Sequence, residues 1–226
     1  MLSEAEAMLA SDIGGFTHDP LKFVLYAFPW GKGELEDFAG PDLWQGDILC
    51  LIRDRLKSGA STADAFKEAI KIAVASGHGI GKSALVAWLI LWAMSTCPDT
   101  KGVVTANTEN QLRTKTWAEL AKLCICGHWF DCTATALISK EPGHEKTWRV
   151  DSIAWSERNT EAFAGLHNKG RRVLIVFDEA SAIPDVIWEV SEGALTDEDT
   201  EIIWCAFGNP TRNTGRFREC FGKFRH

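Results

Sequence analysis

No apolar run in this chain approaches the roughly 20 residues that a membrane-spanning helix needs. The longest, Ala84 to Met94, has the length of a core helix. The first residues carry Glu4 and Glu6 where a secretory leader would carry basic ones. The cysteines number seven, an odd count that with no secretion signal reads as reduced thiols. Repeats, low-complexity tracts and linkers are missing as well. Positive charge is also short: 24 Lys and Arg stand against 31 Asp and Glu, a net charge of −7. A uniformly polyanion-attracting surface is therefore excluded, because phosphate neutralisation dominates nucleic-acid binding. The deficit is uneven. Residues 212 to 226 hold five basic residues and one acid, leaving −11 for residues 1 to 211. A basic end on an acidic body fits local attraction of a polyanion and equally fits a solvated terminal helix. A soluble protein of the cytoplasm is the expectation. One concentration of metal-capable residues, Cys124, Cys126, His128 and Cys132, has a C-x-C-x-H-x3-C spacing that matches no common zinc pattern. Small core thiols and a metal site both stay open for it.

What is present suits one α/β domain. With 226 residues the chain can bury a full core. Residues 1 to 40 read as a helical N-terminal segment: Ser3 to Leu9, then Leu21 to Phe28 behind Asp19-Pro20, then a loop through Gly31, Gly33 and Gly40. Residues 41 to 226 read as the main domain. A helix opens at Pro41-Asp42-Leu43-Trp44-Gln45, with Ile48, Leu51, Ile52 and Leu56 at core spacing, and Ser61 to Ala69 reads as a further short helix. From Lys71 onward short apolar strands alternate with helices. Strands are expected at 72–75, 102–106, 148–155, 172–177 and 201–207, helices at 82–96, 109–124 and 187–193. Such alternation predicts a mostly parallel sheet with helices on both faces and ligands at the strand C-terminal ends.

The loops at those ends carry the chemistry. Ser76-Gly77-His78-Gly79-Ile80-Gly81-Lys82-Ser83 lies between a strand and a helix, the order of a phosphate cradle. A triphosphate is held most rigidly by backbone N–H groups at a helix N-terminus, and glycines keep Cβ atoms out of its way. Lys82 supplies a mobile cation for the β and γ phosphates, and Ser83 a hydroxyl for Mg²⁺. The strict pattern would have glycine where Ser76 stands, and serine is small enough to serve. Farther along, the strand Arg172 to Phe177 ends in Asp178-Glu179. Asp178 can reach the metal's water shell and Glu179 can orient and deprotonate an attacking water. Neighbours on a strand face opposite ways, so both act only where the strand ends and turns, which Ala180 to Pro184 supply. Together the two motifs point to Mg²⁺-dependent ATP hydrolysis by a P-loop NTPase fold of the ASCE type.

With those loops in view the chain resembles the ATPase domain of the large terminase subunit of tailed bacteriophages and prophages. The residues that carry the resemblance are Trp44-Gln45, the loop from Ser76 to Ser83, Thr105-Ala106-Asn107-Thr108-Glu109 with Gln111, Ala164-Gly165-Leu166-His167, Phe177 to Ser181, and Gly208-Asn209-Pro210-Thr211-Arg212 followed by Gly215 and Phe217. The resemblance implies that Trp44 and Gln45 recognise adenine, that Lys82 and Ser83 are the Walker A pair, and that Asp178 and Glu179 are the Walker B acid and catalytic glutamate. It further implies that Asn209 senses the γ-phosphate. Some relatives have an arginine where this chain has His78, so an arginine finger is expected from a neighbouring subunit. Arg158 is the first candidate for it and Arg149 the second.

The partners implied are double-stranded DNA, the portal or procapsid, and a small terminase subunit. A ring of identical copies is expected in the assembly, with a monomer open for the isolated chain, in the host cytoplasm and away from membranes. Large terminases usually continue into an RNase H-like nuclease domain, so DNA cleavage is expected to be absent here. Two other readings stay open. One is a helicase or remodelling ATPase of the DEAD-like type, which would need a second recombinase-like domain; the other is an assembly adaptor that binds nucleotide without turnover.

Overall fold

Local caps set the first elements. Ser3 accepts the Glu6 N–H while the Glu6 carboxylate takes the Ser3 N–H, a capping box that starts α1 (Glu4–Gly14). Asp19 caps α2 (Pro20–Ala27), with proline in the first turn where its missing N–H costs nothing. The loop through Gly31, Gly33 and Gly40 contains a 3-10 turn, Gly33–Leu35, and leads to α3 (Leu43–Ala60). The computed structural model describes residues 3–60, 68–106, 108, 114, 116–122, 129–156, 163, 166–193 and 199–222. After α3 come β1 (Ile70–Ala75), α4 (Lys82–Thr96), β2 (Lys101–Ala106), α5 (Trp117–Lys122), β3 (Phe130–Cys132), β4 (Ala136–Ser139), β5 (Arg149–Ala154) and β6 (Arg172–Phe177). A 3-10 turn at Ala180–Ala182, α6 (Asp185–Gly193), β7 (Glu201–Gly208) and α7 (Arg216–Glu219) follow.

The strands form one sheet in the order β1-β7-β6-β2-β5-β4-β3. Strands β1, β7, β6, β2 and β5 run parallel; β4 and β3 extend the β5 edge antiparallel. Alternation along the buried strands divides the core in two. Leu174, Val176, Ile203, Cys205 and Phe207 face α4, while Val173, Ile175, Phe177, Ile202, Trp204 and Ala206 face α6 with Ile187 and Trp188. The mostly parallel sheet with helices on both faces is the architecture read from the sequence. The single strand β7 between β1 and β6 is the extra strand of the ASCE arrangement.

Helix α4 is apolar on every side, as a helix covered on both faces must be. The sheet covers one side, and Ile13, Phe23, Val24 and Phe28 of the N-terminal helices join the same cluster on the other. The first forty residues therefore share the main core. At its far end this layer is closed by Arg172, wholly buried at the start of β6. Its guanidinium pairs with Glu201, donates to Thr96 Oγ1 (2.9 Å) and to the Thr17 carbonyl (2.7 Å), and lies 4.0 Å from the Trp92 ring centre.

Some details differ from the sequence reading. Strand β1 starts at Ile70 rather than Ile72, directly after the stretch read as a short helix, whose residues 61–67 lie outside the described ones. Helix α1 runs on to Gly14. The helix expected over 109–124 is described as regular α-helix only at Trp117–Lys122. The hairpin β3–β4 leaves no mark in the sequence pattern, because strands of three and four residues are too short to show a period.

Candidate nucleotide site

Because the five parallel strands point the same way, their following loops gather on one edge of the sheet. Strand β7 separates β1 from β6, so the glycine loop and the acidic turn start about two strand spacings apart, roughly 10 Å. The loop after β7 enters between them. This is the crevice at which open α/β sheets take ligands.

The glycine loop is tied to both neighbours. Ser76 N donates to the Gly208 carbonyl (3.0 Å), fixing the loop's root on β7. At its other end Gly81 adopts φ +83° as N-cap of α4, a left-handed conformation that disfavours any Cβ, and a Cβ there would also stand 2.8 Å from Gln45 Nε2. The Gln45 amide is used at both ends, donating to the Gly81 carbonyl (2.9 Å) and accepting the Asp42 N–H (2.8 Å). Gln45 thus anchors the start of α3 to the phosphate loop. Trp44 packs beside it against the first core cluster, with Nε1 buried and without a partner among the described residues. Gly77, His78 and Gly79 are exposed, and Ile80 and Ser83 half-buried, so the turn is open toward solvent.

Lys82, 8% exposed, turns back over this loop. Its ammonium donates to the Gly77 carbonyl (2.6 Å) and to Asn209 Oδ1 (3.0 Å). Asn209, buried just past the end of β7, has its Nδ2 at 2.8 Å from each ring nitrogen of His78. Asn209 is thereby joined across 127 and 131 positions to Lys82 and His78 in one chain of hydrogen bonds. Gly208 is required by close approach: a Cβ there would lie 3.0 Å from the Phe217 ring and 3.1 Å from Ser181 N. Ser181 and Thr211 hydroxyls, 3.1 Å apart, join the acidic turn to the Asn209 loop.

Across β7, the strand β6 ends at Phe177 and the two acids diverge. Asp178 is buried, its N–H donating to the Thr105 carbonyl (2.8 Å). Its carboxylate takes the Thr116 hydroxyl (3.1 Å) and the Glu179 N–H (3.0 Å). Strand alternation continued from Val176 turns it to the α4 face, the side on which Ser83 lies in the first turn of its helix. Glu179 breaks the alternation with φ +54°. That is a left-handed conformation costing a non-glycine residue about 1–2 kcal/mol, and it opens the 3-10 turn that follows. Two further hydroxyls near this edge, Ser76 Oγ and Thr105 Oγ1, are buried without a partner among the described residues.

The donors fit a phosphate and a hard cation. Backbone N–H groups at the start of α4 and one ammonium suit the anion. A carboxylate and an alcohol suit Mg²⁺, which prefers oxygen ligands and keeps several waters. No group of three or more His, Cys, Asp or Glu able to hold a metal by themselves occurs among the described residues. Of the cysteine cluster, Cys124, Cys126 and His128 lie outside the described residues, and Cys132 sits on β3. Cys205 on β7 is an apolar packing residue, its thiol pushed up to about 12 by burial. Arg158, Asn107, Glu109, Gln111, Ala164 and Gly165 also fall outside the described residues. Arg149 opens β5 at the opposite edge of the sheet, paired with Asp151. The sequence reading had no signal for Thr116, which reaches Asp178 across 62 positions, or for the anchoring of Gln45 to Gly81.

Fold and site together define the class: a P-loop NTPase fold of the ASCE type, with the glycine loop and the acidic turn on either side of one inserted strand. The resemblance to large terminase subunits is matched by a curated relative, the probable terminase large subunit of Enterobacteria phage P7, 26% identical over 202 residues. The alignment takes in 86% of this chain and 37% of that protein, so the chain spans little more than a third of the relative's length. No family model matches. Similar solved structures include the large terminase of the thermophilic bacteriophage D6E in complex with ADP (15% identity, TM-score 0.44, 68% of this chain and 37% of that one). Another is the large terminase ATPase domain of Thermus phage P74-26 (15% identity, TM-score 0.46, 75% and 72%).

Proposed function

We propose that this chain is the ATP-hydrolysing unit of a DNA-packaging terminase, with residues 41–226 forming the ATPase domain and residues 1–40 a helical segment packed on it. The observation that carries this reading is the bridge from Lys82 to Asn209 across the mouth of β7, opposite the turn that holds Asp178 and Glu179. Lys82 has to exchange the Gly77 carbonyl and the Asn209 amide for phosphate oxygens when ATP enters, so occupancy of the pocket is felt at once by the loop after β7. Glu179, held out of the strand direction by its backbone, takes the proton of the attacking water. Asp178 and Ser83 would hold Mg²⁺, which neutralises phosphate charge. The rest of the acceleration is positioning and charge stabilisation, and an arginine from a neighbouring copy, with Arg158 as its first candidate, completes it.

Coupling would run from Asn209 through Thr211 and Ser181 to the arginine-containing segment after residue 211, and so to double-stranded DNA. The working state proposed is a ring of copies with the portal or procapsid and a small terminase subunit, in the host cytoplasm. No helix among the described residues is long and apolar enough to cross a membrane.

Phosphate release from MgATP by the full chain, with DNA and capsid components present, tests the reading. Wild type should turn over, and Glu179→Gln should bind ATP as before while losing turnover by about 10²–10⁴-fold. Unchanged turnover in Glu179→Gln would remove it as the base. Binding without turnover in wild type would favour the adaptor, and strand displacement would favour a helicase.

A further inference from the structure

The glycine loop carries a side chain that its phosphate-binding role does not use. His78 is exposed, yet its ring is the partner of a buried amide on another strand's loop. An asparagine amide has a donor end and an acceptor end, and reversing it exchanges their places. Lys82 is only a donor, so Asn209 must present Oδ1 to it, and Nδ2 must then find an acceptor. That acceptor is His78. Nδ2 lies 2.8 Å from both Nδ1 and Nε2, between their two lone-pair directions, and a neutral ring has one unprotonated nitrogen that accepts from it once the ring turns that lone pair toward the amide. A side chain that only donates, such as arginine or a doubly protonated imidazole, would draw Oδ1 to itself and turn Nδ2 toward the ammonium.

We propose that His78 is a positioning residue that fixes the orientation of the Asn209 amide, keeping its carbonyl end directed into the phosphate pocket both before ATP arrives and after Lys82 has moved to the phosphate. This rests on the ATPase reading for its consequence in turnover and on the hydrogen-bond geometry alone for its structural content. When Lys82 exchanges partners, Asn209 loses its acceptor role there. The bond to His78 is what then keeps the amide from rotating away, so that Oδ1 remains available to the attacking water. Removing His78 should therefore act on the chemical step more than on nucleotide binding.

The test compares wild type, His78→Ala, His78→Arg and His78→Gln in the full chain, glutamine being the variant that restores an acceptor without a ring. Its first arm is the side-chain amide signal of Asn209 in nucleotide-free protein, read by ¹⁵N NMR and assigned by its loss in Asn209→Asp. The signal should move in the alanine and arginine variants and return close to the wild-type position in glutamine. Its second arm is steady-state turnover of MgATP. In His78→Ala kcat should fall about 10-fold or more, as misplacement of a reacting group does, with KM changed less than about twofold. Arginine should be no better than alanine, and glutamine should recover most of kcat. An Asn209 signal indifferent to all three substitutions overturns the proposal, as does equal kcat in wild type and alanine. If wild type neither binds nor hydrolyses ATP, the ATPase reading fails, while the amide signal still decides whether His78 orients Asn209.

Discussion

The two edges of the sheet use buried charge in opposite ways. At the strand N-terminal edge, Arg172 has a carboxylate, a hydroxyl, a carbonyl and an indole face around it. Glu201 is in turn shared with His18 (3.4 Å). Burial pushes the Glu201 carboxyl up, but Arg172 and His18 pull it down further, so it stays below the ordinary carboxylate range. Every group there is satisfied by another part of the fold. At the C-terminal edge Lys82 is also buried but bound to two neutral oxygens, with no carboxylate among its bonds to the described residues. Beside it are a strained glutamate backbone and two buried hydroxyls without a partner among the described residues. A saturated network fixes structure; one with unspent hydrogen-bonding capacity and a counter-charge still to come is built to receive a ligand.

That contrast is broken most severely by removing the two cations in turn. Lys82→Ala should abolish measurable ATP turnover, with a loss of about 10²–10³-fold or more, while the denaturation midpoint changes little, since Gly77 and Asn209 can reach solvent instead. Arg172→Met should do the reverse, lowering stability by about 3–5 kcal/mol because it strands Glu201, with ATP affinity of the folded protein unchanged. Adding Glu201→Gln to Arg172→Met should recover part of that loss. Urea titrations and nucleotide-binding isotherms on the same samples read both quantities. If Lys82→Ala destabilises the fold as much as Arg172→Met does, the two edges are not different in kind.

The strand C-terminal edge was far more legible in the sequence than the N-terminal one. A phosphate loop must bring glycines, lysine and serine together within one turn, so its residues are neighbours in the chain. An acid pair ending an apolar strand is local in the same way. Asn209 was legible through its Gly-Asn-Pro-Thr context. The Arg172 cluster joins residues 17, 18, 92, 96, 172 and 201 from separate elements, and no local pattern marks a buried arginine as different from a solvated one. The same reason hid Thr116 behind Asp178 and His78 behind Asn209. The sheet's parallel core followed from strand and helix alternation, whereas β3 and β4 are too short to carry a period and owe their conformation to pairing with β5.

A smaller effect separates strain from satisfaction within the C-terminal edge itself. Glu179 holds φ +54° without the freedom of glycine. Replacing Glu179 with Gly should leave stability unchanged or raise it by about 1 kcal/mol, the relief of a left-handed backbone less the added freedom of the unfolded chain. Turnover should still be lost. A clear loss of stability in Glu179→Gly would mean that the glutamate side chain is part of the packing, and the active edge would then be less spare than the geometry indicates.

The smallest expected effect tests whether location or burial gives an ion pair its worth. His144 Nδ1 and Asp99 Oδ1 are 2.6 Å apart where the β4–β5 loop meets the turn after α4, on the same edge as Arg172, but the His144 side chain is 44% exposed. The hydrogen bond from His144, helped by the Thr147 hydroxyl, holds the Asp99 carboxyl below its usual range, and Asp99 raises His144 in return. The raised histidine contributes stability that is complete below its unfolded value, about 6.5, and is lost as pH rises through the folded one. The depressed aspartate contributes stability that is complete above its unfolded value, about 3.9, and is lost as pH falls through the folded one. The pair therefore contributes most between about pH 4 and 6.5. Solvent screening keeps this contribution small. The stability difference between wild type and His144→Gln should be larger near pH 5.5 than near pH 8.5, roughly one unit inside and two units outside that window. An equal difference at both would show that the contact acts through packing and not charge, leaving Arg172 as the edge's structural ion pair because it is buried and not because of where it lies.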